Sequence, residues 1–268
     1  RSIHASLLVG ADGAESFVRS QTGLPTERED YGQDALVVSV GLSRDHQGIA
    51  YERFTDDGAI ALLPLPDRRA GLVWTLTRAR AEQIASLSAV DWLACVQAEF
   101  GHRLGRFHSP GRLIRYPLSR SFATKTTRER VVLVGNAAQS LHPVAAQGFN
   151  LGLRDALVLA EEFAAVSSHQ AQSILDSSRV RADKPIAADQ IGQLLSRYSE
   201  RRHADRERIA ALSHWLARWP KLHVPGAGVA RSMVFGALNA WPALQESLVL
   251  AAMGFADDAP ALTLASAA

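Results

Sequence analysis

From Leu36 to Leu76 the chain alternates short apolar runs with polar turns: DALVVSVGL, IAYERFT, GAIALLPLP and RAGLVWTL are separated by SRDHQG, TDDG and PDRR. Apolar runs of this length, bounded by turn residues, predict strands, and Asp57-Gly58 marks a hairpin. The stretch therefore reads as an antiparallel sheet of about four strands.

Two other stretches follow a different pattern. ASLLVGA reads as a buried strand over residues 6–9; Gly10 and Gly13 then bracket Asp12 in a turn, and ESFVR predicts a short helix. VVLVG, residues 131–135, is apolar throughout, as for a strand buried on both faces of a parallel sheet, and residues 151–165 carry the apolar spacing of a helix. Both are strand–turn–helix units with glycine at the turn. A helical window at residues 78–105, strands in RLIRYPLS and RVVLVGN, and a long helix at 191–216 complete the pattern. Shorter helices are expected between Pro220, Pro225 and Pro242, with a frayed tail after Gly254. Residues 167–190 are polar and patternless and read as a mobile surface segment.

The expected fold is α/β with an α+β insertion. Residues 1–30 and 116–165 form the α/β domain, 31–115 the antiparallel-sheet domain, and 166–268 a helical C-terminal region. There is no internal repeat.

Composition narrows this little. With 268 residues, 47% hydrophobic content and net charge +2, the chain can bury a core and gives no whole-chain argument for nucleic acid. The basic run RYSERRHADRER, residues 197–208, reads as a solvated helix face. The single cysteine, Cys95, cannot form an internal disulfide and lies in a helical apolar pattern that predicts packing. No signal peptide appears, nor any run of ~18 apolar residues that would span a bilayer. The chain opens on Arg1 and enters a core-type strand almost at once, so an N-terminal part is expected to be missing.

The connection after Val131–Gly135 carries the chemistry. It runs about twelve residues where two to six are usual, and long ordered loops tend to be functional. Ligands of open α/β sheets sit beyond the carboxyl ends of strands, which is the position of Gly135. Gly148 precedes a helix whose N-terminal N–H groups attract anionic oxygen; Asn150 is placed to cap it or donate, Gln147 adds an amide and Pro143 stiffens the loop. Such a loop suits a flat, polar, partly anionic ligand. Asp12 has two readings: accepting hydrogen bonds from a ribose, or ordering its own turn.

LLVGADGAESFVR resembles the Asp-Gly motif of the class A flavoprotein aromatic hydroxylases, and VVLVGNAAQSLHPVAAQGFNLGLRDALVLA resembles their second FAD motif. Gly135-Asn136, where most relatives have Gly-Asp, together with LLSRYSERRHADR and AAMGF, is similar to the ubiquinone-biosynthesis hydroxylases, the 2-octaprenyl-6-methoxyphenol hydroxylase group in particular. The resemblance implies a para-hydroxybenzoate-hydroxylase-like FAD/NAD(P)-binding fold. It implies Asp12 and Gly13 near the FAD pyrophosphate, Gly135 and Asn136 at the ribityl–pyrophosphate region, and Pro143, Gln147, Gly148, Phe149 and Asn150 along the isoalloxazine. His142 either handles protons beside the flavin or merely orders its turn. Ala146 stands where relatives usually have Gly, which is tolerable only with negative φ.

The resemblance further implies an enzyme that uses FAD, NAD(P)H and O2 to hydroxylate a polyprenyl phenol through a flavin C4a-hydroperoxide. No metal-ligand spacing is present or required, and no catalytic side chain is assigned. Tyr51, Arg53 and Pro64 are positional candidates for a substrate wall. The family's N-terminal G-x-G-x-x-G unit is absent, and PGAGVA at residues 225–230 reads as a loop, so the chain by itself is expected to hold little FAD and to be inactive. A non-catalytic subunit of a quinone-biosynthesis complex and a hydroxylase of soluble aromatics are the alternatives. The location implied is cytoplasmic, with the C-terminal region either packed on the protein or peripheral to the inner face of the membrane.

Overall fold

The computed structural model describes residues 3–176 and 187–218 and the isolated positions 236, 240, 241 and 246. The chain divides into two compact units. Among the described residues, the first comprises 3–28, 120–176 and 187–214, and the second comprises 29–119 and 215–218.

In the first unit, strand β1 (Leu8–Gly10) leads into helix α1 (Phe17–Thr22). Much later come β8 (Thr127–Arg128), β9 (Val131–Leu133) and β10 (Gln139–Ser140), then the long helices α4 (Gly148–Asp176) and α5 (Ala188–Arg218). β1 pairs parallel with β9 in the register Leu8↔Val131, Val9↔Val132, Gly10↔Leu133, and β8 pairs antiparallel on the other side. Gly10 leaves room for its neighbours: a Cβ there would lie 2.7 Å from Leu133 Cδ2 and 3.0 Å from Val18 Cγ1, so those side chains would have to shift. The apolar face of VVLVG buries Val132 and Val134 against Val158 and Leu159 of α4 and Ile191, Leu194, Leu195 and Tyr198 of α5. Each such aliphatic side chain contributes roughly 1.5–3 kcal/mol when fully buried.

The second unit is built on β2 (Thr26–Leu42), β3 (Tyr51–Phe54), β4 (Ala59–Leu65), β5 (Arg69–Thr77), β6 (Phe107–His108) and the early part of β7 (Ile114–Ala123). Neighbours run β7-β2-β5-β4-β3, with β6 also on β2. The TDDG turn closes the β3–β4 hairpin, as its Asp-Gly predicts. Register stacks Leu36, Trp74 and Ile60 across three strands, and Val38, Leu72 and Leu62 two residues on. Helices α2 (Arg78–Ala85) and α3 (Ala89–Phe100) cover that face with Ile84, Trp92, Val96 and Phe100. Cys95 is half-buried against the same cluster.

One expectation is corrected. The segment at residues 167–190 is not patternless coil throughout: α4 continues through Asp176 and α5 begins at Ala188. SSHQAQSILD contains neither Gly nor Pro, so nothing in it stops a helix already propagating. The short helices near Pro220, Pro225 and Pro242, the PGAGVA loop and the tail lie outside the described residues.

Candidate functional site

Strand β9 delivers the chain to Gly135, whose φ of 59° opens a 3₁₀ turn, Gly135–Ala137. A second 3₁₀ turn, Pro143–Ala145, ends on Ala146, and α4 starts at Gly148. The first turn of α4 packs back on the loop so closely that a Cβ on Gly152 would stand 3.2 Å from Gly135 Cα. Gly152 permits this approach, whereas a Cβ on Gly135 would meet Gly152 Cα at an ordinary 3.8 Å and glycine is favoured there by its φ of 59°.

Ala146 has φ 49° and ψ 23°, so the condition of negative φ is not met. The loop keeps the left-handed turn that a glycine would make freely, at a cost of about 1–2 kcal/mol. The surrounding turn over-determines it: Ala146 N–H donates to Pro143 O at 2.8 Å.

Leu151 N–H donates to Gln147 O at 2.9 Å, making this the first helical bond. Gln147 is thus the residue before the helix, and Asn150 lies inside its first turn rather than at the cap. The backbone N–H groups of a helix's first turn have no acceptor within the helix, the ordinary condition of a helix N-terminus. They give it partial positive charge.

These elements enclose a cleft of about 730 Å³. Of the sequence-predicted residues, Gly13, Gly135, Asn136, His142, Pro143, Gly148 and Phe149 line it. Ala11, Val134, Ser140, Leu141, Ala146, Gly152 and Leu153 complete the lining. All seven lie inside the two motif stretches, where only Ala146 was singled out. Phe149 is 79% exposed and Leu153, one turn on, 47%.

Asp12, Gln147 and Asn150 are not among the lining residues. Asp12 turns toward α1: its carboxylate accepts from Ser16 Oγ at 2.5 Å and from Val18 N–H at 3.0 Å. The Ser16 hydroxyl and these backbone donors hold its carboxyl below the usual carboxylate range. Gln147 is buried, and its Oε1 has no hydrogen-bond donor among the described residues. His142 orders its own turn, since Val144 N–H donates to Nδ1 at 3.2 Å and the ring caps the second 3₁₀ turn. Nδ1 is therefore the acceptor nitrogen in this contact.

Beneath the loop lies a group of charges that the sequence reading misplaced. Asp155 of α4 accepts from Gly135 N–H at 2.9 Å, Gln139 Nε2 at 2.6 Å and Arg202 Nε at 2.7 Å. Arg202 also donates to Asp205 at 2.7 Å, and Arg154 Nε to the same oxygen at 2.9 Å. Arg206 donates to Gln139 Oε1 at 2.5 Å and to Ala123 O at 2.8 Å. The RYSERRHADRER run is therefore not simply a solvated face: Tyr198, Arg202, Asp205 and Arg206 are buried. The signal was present in the spacing. Ile191, Leu194, Leu195 and Tyr198 form a helical stripe that continues through Arg202, Asp205, Arg206, Ile209 and Ser213.

Burial opposes the charge on Arg202, but Asp155 and Asp205 outweigh it and hold its pKa above the ordinary value. For Arg206 burial prevails and lowers it, since its partners are an amide and carbonyls. Burial, then the charge of Asp155, pushes the Tyr198 hydroxyl up.

In the second unit, Tyr51 packs edge-to-face on Phe100 at 6.1 Å, and Arg53 Nη1 donates to Phe100 O at 3.3 Å. Pro64 pairs with Ala70, a member of the helix-covered cluster. The positional candidates for a substrate wall thus belong to the face that the helices cover, because pairing to Leu62, Ile60 and Ala70 fixes their side of the sheet.

Residues 1–191 match the family model described as FAD binding domain. Over 254 residues the chain is 34% identical to ubiquinone hydroxylase UbiL of Rhodospirillum rubrum, covering 95% of this chain and 56% of that protein. It is 38% identical over 153 residues to 3-demethoxyubiquinol 3-hydroxylase of Escherichia coli, covering 57% of this chain and 39% of that one. The chain spans about half the length of the curated relatives it matches. Among solved structures, the Diels-Alderase PyrE3 of pyrroindomycin biosynthesis superposes with a TM-score of 0.65 at 21% identity, over 92% of this chain and 49% of that one. That likeness speaks for the fold alone.

Proposed function

We infer the function from one premise: the chain belongs to the FAD binding domain family. It is read as part of an FAD- and NAD(P)H-dependent monooxygenase that hydroxylates the ring of a polyprenyl phenol in ubiquinone biosynthesis. The observation that carries this reading is the cleft of about 730 Å³ walled by Gly13, the Gly135–Asn136 turn and the start of α4.

The residues present fit a flavin nucleotide. Gly13 and Gly148 have nothing within 4 Å of the place a Cβ would occupy, so backbone is open to a flat ligand on both sides. The first turn of α4 offers N–H groups to polar or anionic edges. Gln147 Oε1 is a buried acceptor lacking a donor among the described residues. FAD, when bound, supplies the redox and oxygen chemistry. The chain's own part is to present N–H groups, to fix the loop through Asp155, and to screen the cleft with Phe149 and Leu153.

The substrate class comes from the two hydroxylase relatives. Ala146 keeps, at φ 49°, the turn that a glycine would make, which supports reading the loop as a flavoprotein loop; the non-catalytic alternative is separated by the activity test below. Among the described residues no helix is long and apolar enough to cross a membrane. The C-terminal region, expected either to pack on the protein or to lie peripheral to a membrane, falls outside the described residues.

The test uses the full-length protein that carries this chain. Purified with its flavin, it should oxidise NAD(P)H faster when a prenylated phenol is added, and the product should gain one oxygen atom. A colourless protein that takes up no FAD on reconstitution overturns the reading. Equal rates with tail-less phenols would assign it to soluble aromatics instead.

A further inference from the structure

The cleft loop and helix α5 run side by side in order. Tyr198 Oη donates to Leu133 O at 3.2 Å, at the end of β9. One turn on, Arg202 holds Asp155 at 2.7 Å, and Asp155 in turn accepts the Gly135 N–H. After another turn, Arg206 donates to Gln139 Oε1 at 2.5 Å and lies 3.5 Å from Ala138 O. Two turns further, Ser213 Oγ donates to His142 O at 3.0 Å. Positions 198, 202, 206 and 213 fall on one face of α5. The loop positions they reach, 133, 135, 139 and 142, ascend in the same order. Each rung is buried.

We propose that Tyr198, Arg202, Arg206 and Ser213 form a ladder of positioning residues that presets the cleft loop for FAD. None of the four lines the cleft, so they act through the backbone they hold. The ladder fixes Gly135 in its left-handed turn and sets where the second 3₁₀ turn, and hence the start of α4, can lie. Without it the loop must be ordered when ligand binds, and that ordering entropy subtracts from affinity. The inference rests on the FAD reading above, but it also predicts a property of the ligand-free protein.

The rungs differ in how safely they can be cut. Arg202 neutralises a buried carboxylate, and its removal endangers the fold. Tyr198 and Ser213 each give one hydroxyl to one carbonyl, so Tyr198→Phe and Ser213→Ala remove a donor with little change of shape and none of charge.

The experiment compares the wild-type full-length protein, the Tyr198→Phe/Ser213→Ala double variant and Arg206→Gln. It measures amide hydrogen exchange of residues 133–148 without flavin, the Kd for FAD, the flavin absorption spectrum, and the melting temperature of the ligand-free protein. The expected result for the double variant is about tenfold faster exchange confined to residues 133–148 and about tenfold weaker FAD binding, with melting little changed. Arg206→Gln should show both effects more strongly and perturb the flavin spectrum. Unchanged local exchange in folded variants overturns the ladder, whatever happens to FAD. So does loosened exchange with unaltered FAD affinity and spectrum, which would make the rungs structural only. Wild-type protein that binds no FAD sinks the functional reading, and the positioning role with it, while the exchange data still report whether α5 orders the loop.

Discussion

Arg202 and Asp155 meet at 2.7 Å with side chains 1% and 0% exposed, joining helix α5 to the residue that caps the Gly135 N–H. Such a pair is weak evidence for net stability, because both charges lost their hydration. What it does is penalise separation. Arg202→Met leaves an uncompensated buried carboxylate and should cost about 3–5 kcal/mol in denaturant unfolding. The Asp155→Leu/Arg202→Met pair should recover a good part of that loss, and a double-mutant cycle reads the coupling directly.

Asp205 gives the network its pH dependence. Burial alone would raise its pKa, but Arg202 and Arg154 more than reverse this and hold it below the ordinary value. A depressed folded pKa means stabilisation that is complete above the unfolded carboxylate value of ~3.9 and is lost as pH falls through the lower folded value. Stability should therefore show an acid limb below about pH 4. Asp205→Asn should be less stable at neutral pH and should show a shallower limb when unfolding is followed from pH 6 to 2.

Ala146 sits at φ 49° in a turn that suits glycine. Ala146→Gly should stabilise the protein by about 1 kcal/mol, seen as a higher urea midpoint at unchanged m. Ala146→Val should destabilise it, because a β-branched side chain tolerates positive φ worst. Equal stability of all three would mean that the turn is not left-handed in solution.

Gly152 lies within α4, where alanine ordinarily gains about 1 kcal/mol. Here the added Cβ would stand 3.2 Å from Gly135 Cα, and Gly135 is tethered by Asp155. Gly152→Ala should thus forfeit that gain and weaken FAD binding. A melt and a flavin titration on the same preparation check both parts. Unaltered affinity with raised melting temperature would show that the close approach is not needed.

The sequence made the loop legible because glycine, proline and amides punctuate a connection too long for an ordinary turn. Six of its predicted residues, Gly135, Asn136, His142, Pro143, Gly148 and Phe149, do share one cleft with Gly13 of the first motif. Asp12 was harder to read, since a carboxylate after a strand serves a ligand or its own helix equally well, and geometry turns it to Ser16 and Val18. The ladder of α5 was hidden by composition. Arginines in a run look solvated until each is placed on the helix, where Arg202 and Arg206 continue the stripe of Leu194, Leu195 and Tyr198. Asp155 lay inside the quoted motif, yet its role depends on a partner nearly fifty residues away, which no local pattern reveals.

The pairing of β1 with β9 bears on how the protein is made. Leu8 leaves the ribosome before its parallel partner Val131, with all of residues 29–119 made between them. The β3–β4–β5 meander needs only adjacent hairpins, so its strands meet partners at once, while β1 must wait through slow, non-local closure. Until β9 is made, the β1–β9 ladder cannot form. Pulse-labelled hydrogen exchange during refolding should find β4 and β5 protected before β1, and β1 protected together with β9.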